Sequence, residues 1–118
     1  MIKLAVYGTL KKGFHNHKYL DVIDYENNFL GCDLLPGFYM VDAGHYPAAY
    51  YNGNKDQSIF VEIYNISEQA FKACDYLEGY PMLYDRITTS TKFGEAFIYV
   101  SDRLKNNSTI IPNGFWKL

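Results

Sequence analysis

Between Gln57 and Pro81 the hydrophobic period changes once, and that change constrains the chain more than any other feature. In "QSIFVEIYNI" apolar residues alternate: Ile59, Val61 and Ile63 fall on one face, Phe60, Glu62 and Tyr64 on the other. A period of two is that of a strand with two distinct faces. From Ser67 the spacing becomes helical. Ser67 is an N-cap residue, and Glu68 and Gln69 occupy the first turn, where the helix dipole favours negative charge. The helix runs through "AFKACDYLE" to Gly79, a C′ glycine, with Pro81 just beyond. A strand leading directly into a capped helix, in a chain of 118 residues, predicts one domain over residues 1–118.

Around this unit the other signals are those of strands. Residues 2–7 alternate, with Ile2, Leu4 and Val6 opposite Ala5 and Tyr7. "HNHKYLDVI" (15–23) opens a short helix. Residues 26–51 read as a meander broken at Pro36-Gly37, Asp42-Ala43-Gly44 and Pro47, and "YNGNKD" (51–56) reads as a hairpin turn. "YDRITTST" and "EAFIYV" are two strands joined at Lys92–Gly94, and the polar tail turns apolar again at Ile110, Ile111, Phe115 and Trp116. The fold class predicted is therefore α+β, a small, mostly antiparallel barrel or curled sheet with one or two short helices. The 12 tyrosines and 8 phenylalanines fit strands, and equally a cleft whose lining is partly polar.

Several function classes are excluded or left without support. A net charge of -2 argues against a nucleic-acid partner, and the longest basic run is Lys11-Lys12. No segment has the length of a membrane span, and "MIKLAVYG" is too short an apolar run for a signal peptide. Cys32 and Cys74 make no metal or redox pair, so free thiols in a cytoplasmic protein are expected. His15 and His17 lack the further ligands a metal needs and read as surface histidines. No GxSxG, P-loop or dinucleotide fingerprint is present.

Two features remain. On the helix, Phe71, Cys74 and Glu78 stand at i, i+3 and i+7, which aligns Glu78 with the buried stripe at the end where the dipole disfavours a carboxylate. Either the last turn frays and Glu78 faces solvent, or it is buried with a raised pKa and is a candidate acid/base. Asp75 and Asp85 flank it in sequence, but helix geometry turns Asp75 away. Glu62, in mid-strand, is either solvent-facing or a second pocket carboxylate. The other feature is "VYGTLKKG" (6–13), where a strand stops at a glycine. It is either a plain strand-ending turn or a loop whose amides 8–10 meet an anion. One acid/base with no protein nucleophile suits a substrate that carries its own.

Four segments in order, "VYGTLKKG", "HYPAAY", "LEGYPMLYDR" and "IIPNGFW", resemble the gamma-glutamylcyclotransferase-like family, and within it the gamma-glutamylamine cyclotransferase type. The resemblance implies a small mixed barrel with a cavity at one end. It implies that Tyr7, Gly8, Thr9 and Leu10 hold the α-carboxylate of a γ-glutamyl group, with Glu78 as acid/base. Tyr84 and Arg86 would shape the pocket, and His45 and Tyr46 of "HYPAAY" would lie close to it. The implied activity is cofactor-free and metal-free conversion of a γ-glutamyl amine or peptide to 5-oxoproline and a free amine. The class is that of lyase or acyltransferase enzymes, working as monomer or homodimer on a small-molecule partner. The chain departs from the family's usual residues at Val61 and Phe115, which bears on the identity of the leaving amine. The alternative is a non-catalytic protein that holds a small anionic ligand in the same cavity.

Overall fold

The computed structural model describes residues 1–23, 25–42, 44, 46–101, 109–111 and 114–117. Two sheets form. The larger has five strands in the order β2 (Phe29–Pro36), β5 (Ser58–Ile66), β1 (Ile2–Val6), β7 (Gly94–Val100), β6 (Asp85–Thr91). Its neighbours run antiparallel except β1 and β7, which are parallel. The smaller sheet sets β3 (Phe38–Asp42) between β4 (Pro47–Tyr51) and β8 (Thr109–Ile110).

Of the expected barrel or curled sheet, this pairing gives the mostly antiparallel α+β arrangement without a closed barrel among the described residues. Among the described residues, no ladder joins the edge strands β2 and β6 to the three-stranded sheet. The reason lies at Pro36-Gly37. Gly37, at φ 88°, lets the chain leave one sheet and enter the other instead of folding β3 back beside β2. The turn at 51–56 is likewise no hairpin, because β4 and β5 belong to different sheets. Single backbone bonds tie the sheets together at their margins: Ser101 N–H, just past β7, donates to Ala49 O of β4 (2.9 Å), and Gly37 N–H, just before β3, donates to Gln57 O, just before β5 (2.9 Å).

Helix α2 spans Glu68–Glu78, after the short helix α1 (Tyr25–Asn28). Ser67 caps α2 by accepting from the Ala70 N–H at 3.1 Å, and Gly79 ends it at φ 66°. The helix expected within 15–23 contracts to one 3-10 turn, His17–Leu20, closed by Asp21 in the left-handed region at φ 52°. Residues 25–28, read as strand-like from Glu26 onward, instead form α1.

Strand β1 is buried on both faces. Leu4 and Val6 pack with Tyr64, Ile66, Phe71 and Cys74 beneath α2. Ala5 and the following Tyr7 pack with Phe38, Met40, Ile59 and Ile63. With both faces covered, the C-terminal end of β1 is where the chain must leave the core, and the site lies there.

Candidate active site

Past Val6 the chain enters a cavity of about 280 Å³, at the small end of the range of roughly 300–1,000 Å³ usual for ligand pockets. Tyr7, Gly8, Thr9 and Leu10 line one side, and Leu77 and Glu78 at the end of α2 line another. Tyr46, Pro47, Leu83, Tyr84 and Tyr99 complete the wall, with His15 and Asn16 at the loop's return.

The 8–13 loop is held by its own bonds. Lys11 N–H closes a turn onto Gly8 O at 3.0 Å. Asn16 bonds Thr9 twice, from its backbone to Thr9 O (3.2 Å) and from Nδ2 to Thr9 Oγ1 (3.0 Å). His17 Nδ1 donates to Leu10 O at 2.9 Å. Among the described residues, no protein acceptor takes the amide N–H of Thr9 or Leu10. Gly8 is required by close approach rather than by φ: a Cβ there would stand 2.6 Å from Pro47 Cγ.

Glu62 fits neither reading made from the sequence. Its Oε1 accepts from Lys12 N–H and from Tyr64 Oη, both at 2.9 Å, so it clamps the loop to β5 and does not line the cavity.

The last turn of α2 does not fray. Gly79 N–H reaches Asp75 O and Tyr76 O, and Tyr80 N–H reaches Asp75 O at 2.9 Å, so Glu78 keeps its place on the buried stripe. Its carboxylate meets the cavity and takes no hydrogen bond from any described residue. Burial raises its pKa from 4.5 to about 7, since the ionised form loses hydration without gaining a partner.

The tyrosines are wall rather than donors. Tyr7 Oη donates to Tyr99 O (2.8 Å) and accepts from Ala49 N–H (3.2 Å), and Tyr84 Oη donates to Pro47 O (2.8 Å). Burial, then proximity to other acidic groups, pushes both phenols well above their usual range, so they stay protonated. Tyr46 sits at the rim, edge-on to Tyr84 with ring centroids 6.3 Å apart. His45 lies outside the described residues.

Arg86 does not join the cavity lining. Its guanidinium forks onto Asp75 at 3.0 and 3.2 Å and stacks over Tyr80, 4.1 Å from the ring centroid. Asp75 also accepts from Tyr99 Oη at 2.7 Å. The expectation that helix geometry turns Asp75 away from Glu78 is corrected, since positions three apart are neighbours on a helix face. Asp75 stays out of the cavity lining because Arg86 and Tyr99 take its carboxylate, which pins the end of α2 to β6 and β7. Sequence reasoning missed this junction, along with Asn16 and Tyr99. Arg86 and Tyr99 face each other across the β6–β7 hairpin, but nothing in either strand shows that they share a carboxylate on α2. Cys74, fully buried beneath the helix, has its thiol pushed up to about 12 by burial and then by Glu78 and Asp75, so it is no nucleophile. Among the described residues no cluster of three or more metal-ligating side chains occurs, and no helix is long and apolar enough to cross a membrane.

Fold and site together define a small α+β protein with one unpaired carboxylate, among the described residues, in a loop-walled cavity. The family model for gamma-glutamyl cyclotransferase, AIG2-like, matches residues 4–118. A Vibrio cholerae protein bearing the gamma-glutamylcyclotransferase name is 33% identical over 111 residues, covering 94% of this chain and 91% of its own. The mouse gamma-glutamylaminecyclotransferase is 33% identical over 93 residues, 73% of this chain and 60% of that protein. The crystal structure of a mouse AIG2-like protein superposes with a TM-score of 0.78 at 25% identity, covering 100% of this chain and 95% of that one. The Escherichia coli protein ytfP, solved in solution, gives 0.73 at 28% identity, covering 98% and 96%. The chain belongs to the gamma-glutamylcyclotransferase family, whose members are enzymes.

Proposed function

We propose that the protein cyclises a γ-glutamyl amine or γ-glutamyl peptide to 5-oxoproline and releases the free amine. The observation that carries this reading is Glu78, which lines the cavity, takes no hydrogen bond from any described residue and is displaced to a pKa of about 7. The substrate's α-nitrogen attacks its own γ-carbonyl carbon. That C–N bond forms and the bond from the carbonyl to the leaving nitrogen breaks, while the α-nitrogen goes from ammonium to lactam N–H and so gives up two protons, one before attack and one after it. Ionised Glu78 takes a proton from the α-nitrogen and returns it to the leaving nitrogen. With the second proton, exchanged through the same carboxylate or through solvent, the amine departs as an ammonium. A pKa near neutrality serves both steps.

The rest of the task is geometric. Holding the γ-glutamyl chain folded for ring closure replaces a search through open conformers. In this reading the cavity takes the γ-glutamyl group, and the amides of Thr9 and Leu10, which no described acceptor takes, would bind its α-carboxylate. The names of the mouse relative and of the Niallia circulans relative, a gamma-L-glutamyl-butirosin B gamma-glutamyl cyclotransferase 32% identical over 115 residues, support γ-glutamyl amines as the substrate class. The test is 5-oxoproline release from a panel of γ-glutamyl amines and dipeptides. Glu78→Gln should lower kcat by roughly 10²–10⁴, the usual worth of a positioned acid/base. Undiminished release by Glu78→Gln would overturn the assignment.

A further inference from the structure

Lys11 opens a two-lysine run and reads from sequence as surface charge, yet it is 2% exposed. Its ammonium donates to the main-chain carbonyl of Trp116 at 2.5 Å, more than a hundred residues away in sequence. Three rings surround it: Phe115 at 4.0 Å from the centroid, Phe14 at 5.2 Å and Phe60 at 5.6 Å. The C-terminal segment that supplies Phe115 and Trp116 is itself pressed onto β5. A Cβ on Gly114, at φ 58°, would stand 2.7 Å from Ile59 Cα and against Ser58 O. Phe115 also meets Phe60 of β5 edge-on, with centroids 5.1 Å apart.

The other end of Lys11 is the loop. Its backbone N–H closes the Gly8–Lys11 turn, and the two residues inside that turn are Thr9 and Leu10, which line the cavity. One residue therefore joins the C-terminal segment to the part of the site assigned to the α-carboxylate. A buried ammonium costs hydration that a methionine would not, and packing alone gives no reason to keep the charge. A fixed attachment point for the turn does.

We propose that Lys11 is a positioning residue: its buried ammonium latches the 114–117 segment to the Gly8–Lys11 turn and so fixes the Thr9 and Leu10 amides for substrate. This rests on the proposed cyclotransferase reading. Lys11 touches no substrate, and its action runs through the turn.

The test uses the full chain with Lys11→Met, Lys11→Arg and Phe115→Leu. Lys11→Met fills the same space without the charge, so thermal stability should hold or rise. KM for a γ-glutamyl substrate should nonetheless rise about tenfold, the equivalent of one charge-assisted hydrogen bond, with kcat changed less. Lys11→Arg, which keeps a donor for Trp116 O, should recover most of that loss. Phe115 is 42% exposed, so Phe115→Leu should fold normally and raise KM in the same direction. The two changes together should be less than additive, as expected for a shared latch. Amide hydrogen exchange gives a readout independent of turnover: the amides at positions 11 and 16, which bond Gly8 O and Thr9 O, should exchange faster in Lys11→Met while the amides of 71–78 do not. Unchanged exchange at positions 11 and 16 would overturn the latch. So would a KM rise that only tracks lost stability, or one that Lys11→Arg fails to relieve. If wild type releases no 5-oxoproline, the functional reading fails, and the exchange measurement still decides whether Lys11 holds the turn.

Discussion

Glu78→Gln should make the protein more stable, and mainly at pH values where Glu78 would otherwise be ionised in the fold. The glutamate titrates at about 7 in the folded chain against an ordinary value of 4.5. Its folded pKa is raised, so the folded state binds more protons than the unfolded state between those values. Stability therefore falls as pH rises through that window. At about 1.4 kcal/mol for each tenfold change in proton affinity, the ionised carboxylate costs the fold about 3 kcal/mol above pH 7 and almost nothing below 4.5. Glutamine keeps the shape without the charge. Urea unfolding of both proteins at pH 5 and pH 8 should show a small difference at the first and an advantage of about 2–3 kcal/mol for Gln at the second, with equal m-values. In a chain of this size that is a rise in Tm on the order of 10 °C at pH 8. A stability difference that does not change between the two pH values would refute burial as the cause of the shift. So would a wild type that is the more stable protein at pH 8, because that would mean the carboxylate has a partner in the fold.

Three further outcomes follow from the same geometry. The pH profile of kcat/KM should carry an ascending limb with an apparent pKa near 7, the ionisation of Glu78 in the free enzyme, and kinetics across neutral pH would show it. Gly8→Ala should cost about 1–3 kcal/mol in urea unfolding, because its Cβ meets the Pro47 ring at 2.6 Å and neither backbone can yield cheaply. Arg86→Met should lower Tm, since it leaves Asp75 with only Tyr99, while KM stays within about twofold; a rise above about tenfold would show that Arg86 touches substrate after all.

How much of the fold and site can be read from the chain depends on how local each cause is. Ser67, Gly79 and the i, i+3, i+7 stripe are interactions within one helix, so the helix and the alignment of Glu78 with its buried stripe are legible in the residues alone, whereas whether the last turn frays is settled only by the bonds that close it. The strand faces of β1 and β5 are legible for the same reason, since alternation is a property of the strand itself. Statements about partners fare worse. Nothing local distinguishes a Pro-Gly that turns a hairpin from one that passes the chain to a second sheet, so the closed barrel does not hold. Glu62 reads as a choice between solvent and pocket because its actual partners, Lys12 N–H and Tyr64 Oη, form a clamp that depends on the loop already being folded. Arg86 follows Tyr84 at the spacing of a pocket pair, but Asp75, one turn before Glu78 on α2, captures it.

That same division explains why the site is assembled as it is. Glu78 can bear an uncompensated charge only if the helix end cannot move to solvate it, and the Asp75–Arg86–Tyr99 junction one turn earlier removes that freedom. The opposing loop cannot be held by a regular ladder, because amides committed to a ladder would have none left to offer an anion. It is fixed instead by its flanks: Asn16 and His17 on the return, Glu62 on Lys12, and the ammonium of Lys11. Rigidity is placed beside the cavity, so the Glu78 carboxylate and the Thr9 and Leu10 amides stay without partners among the described residues, which is what the proposed reaction requires of them.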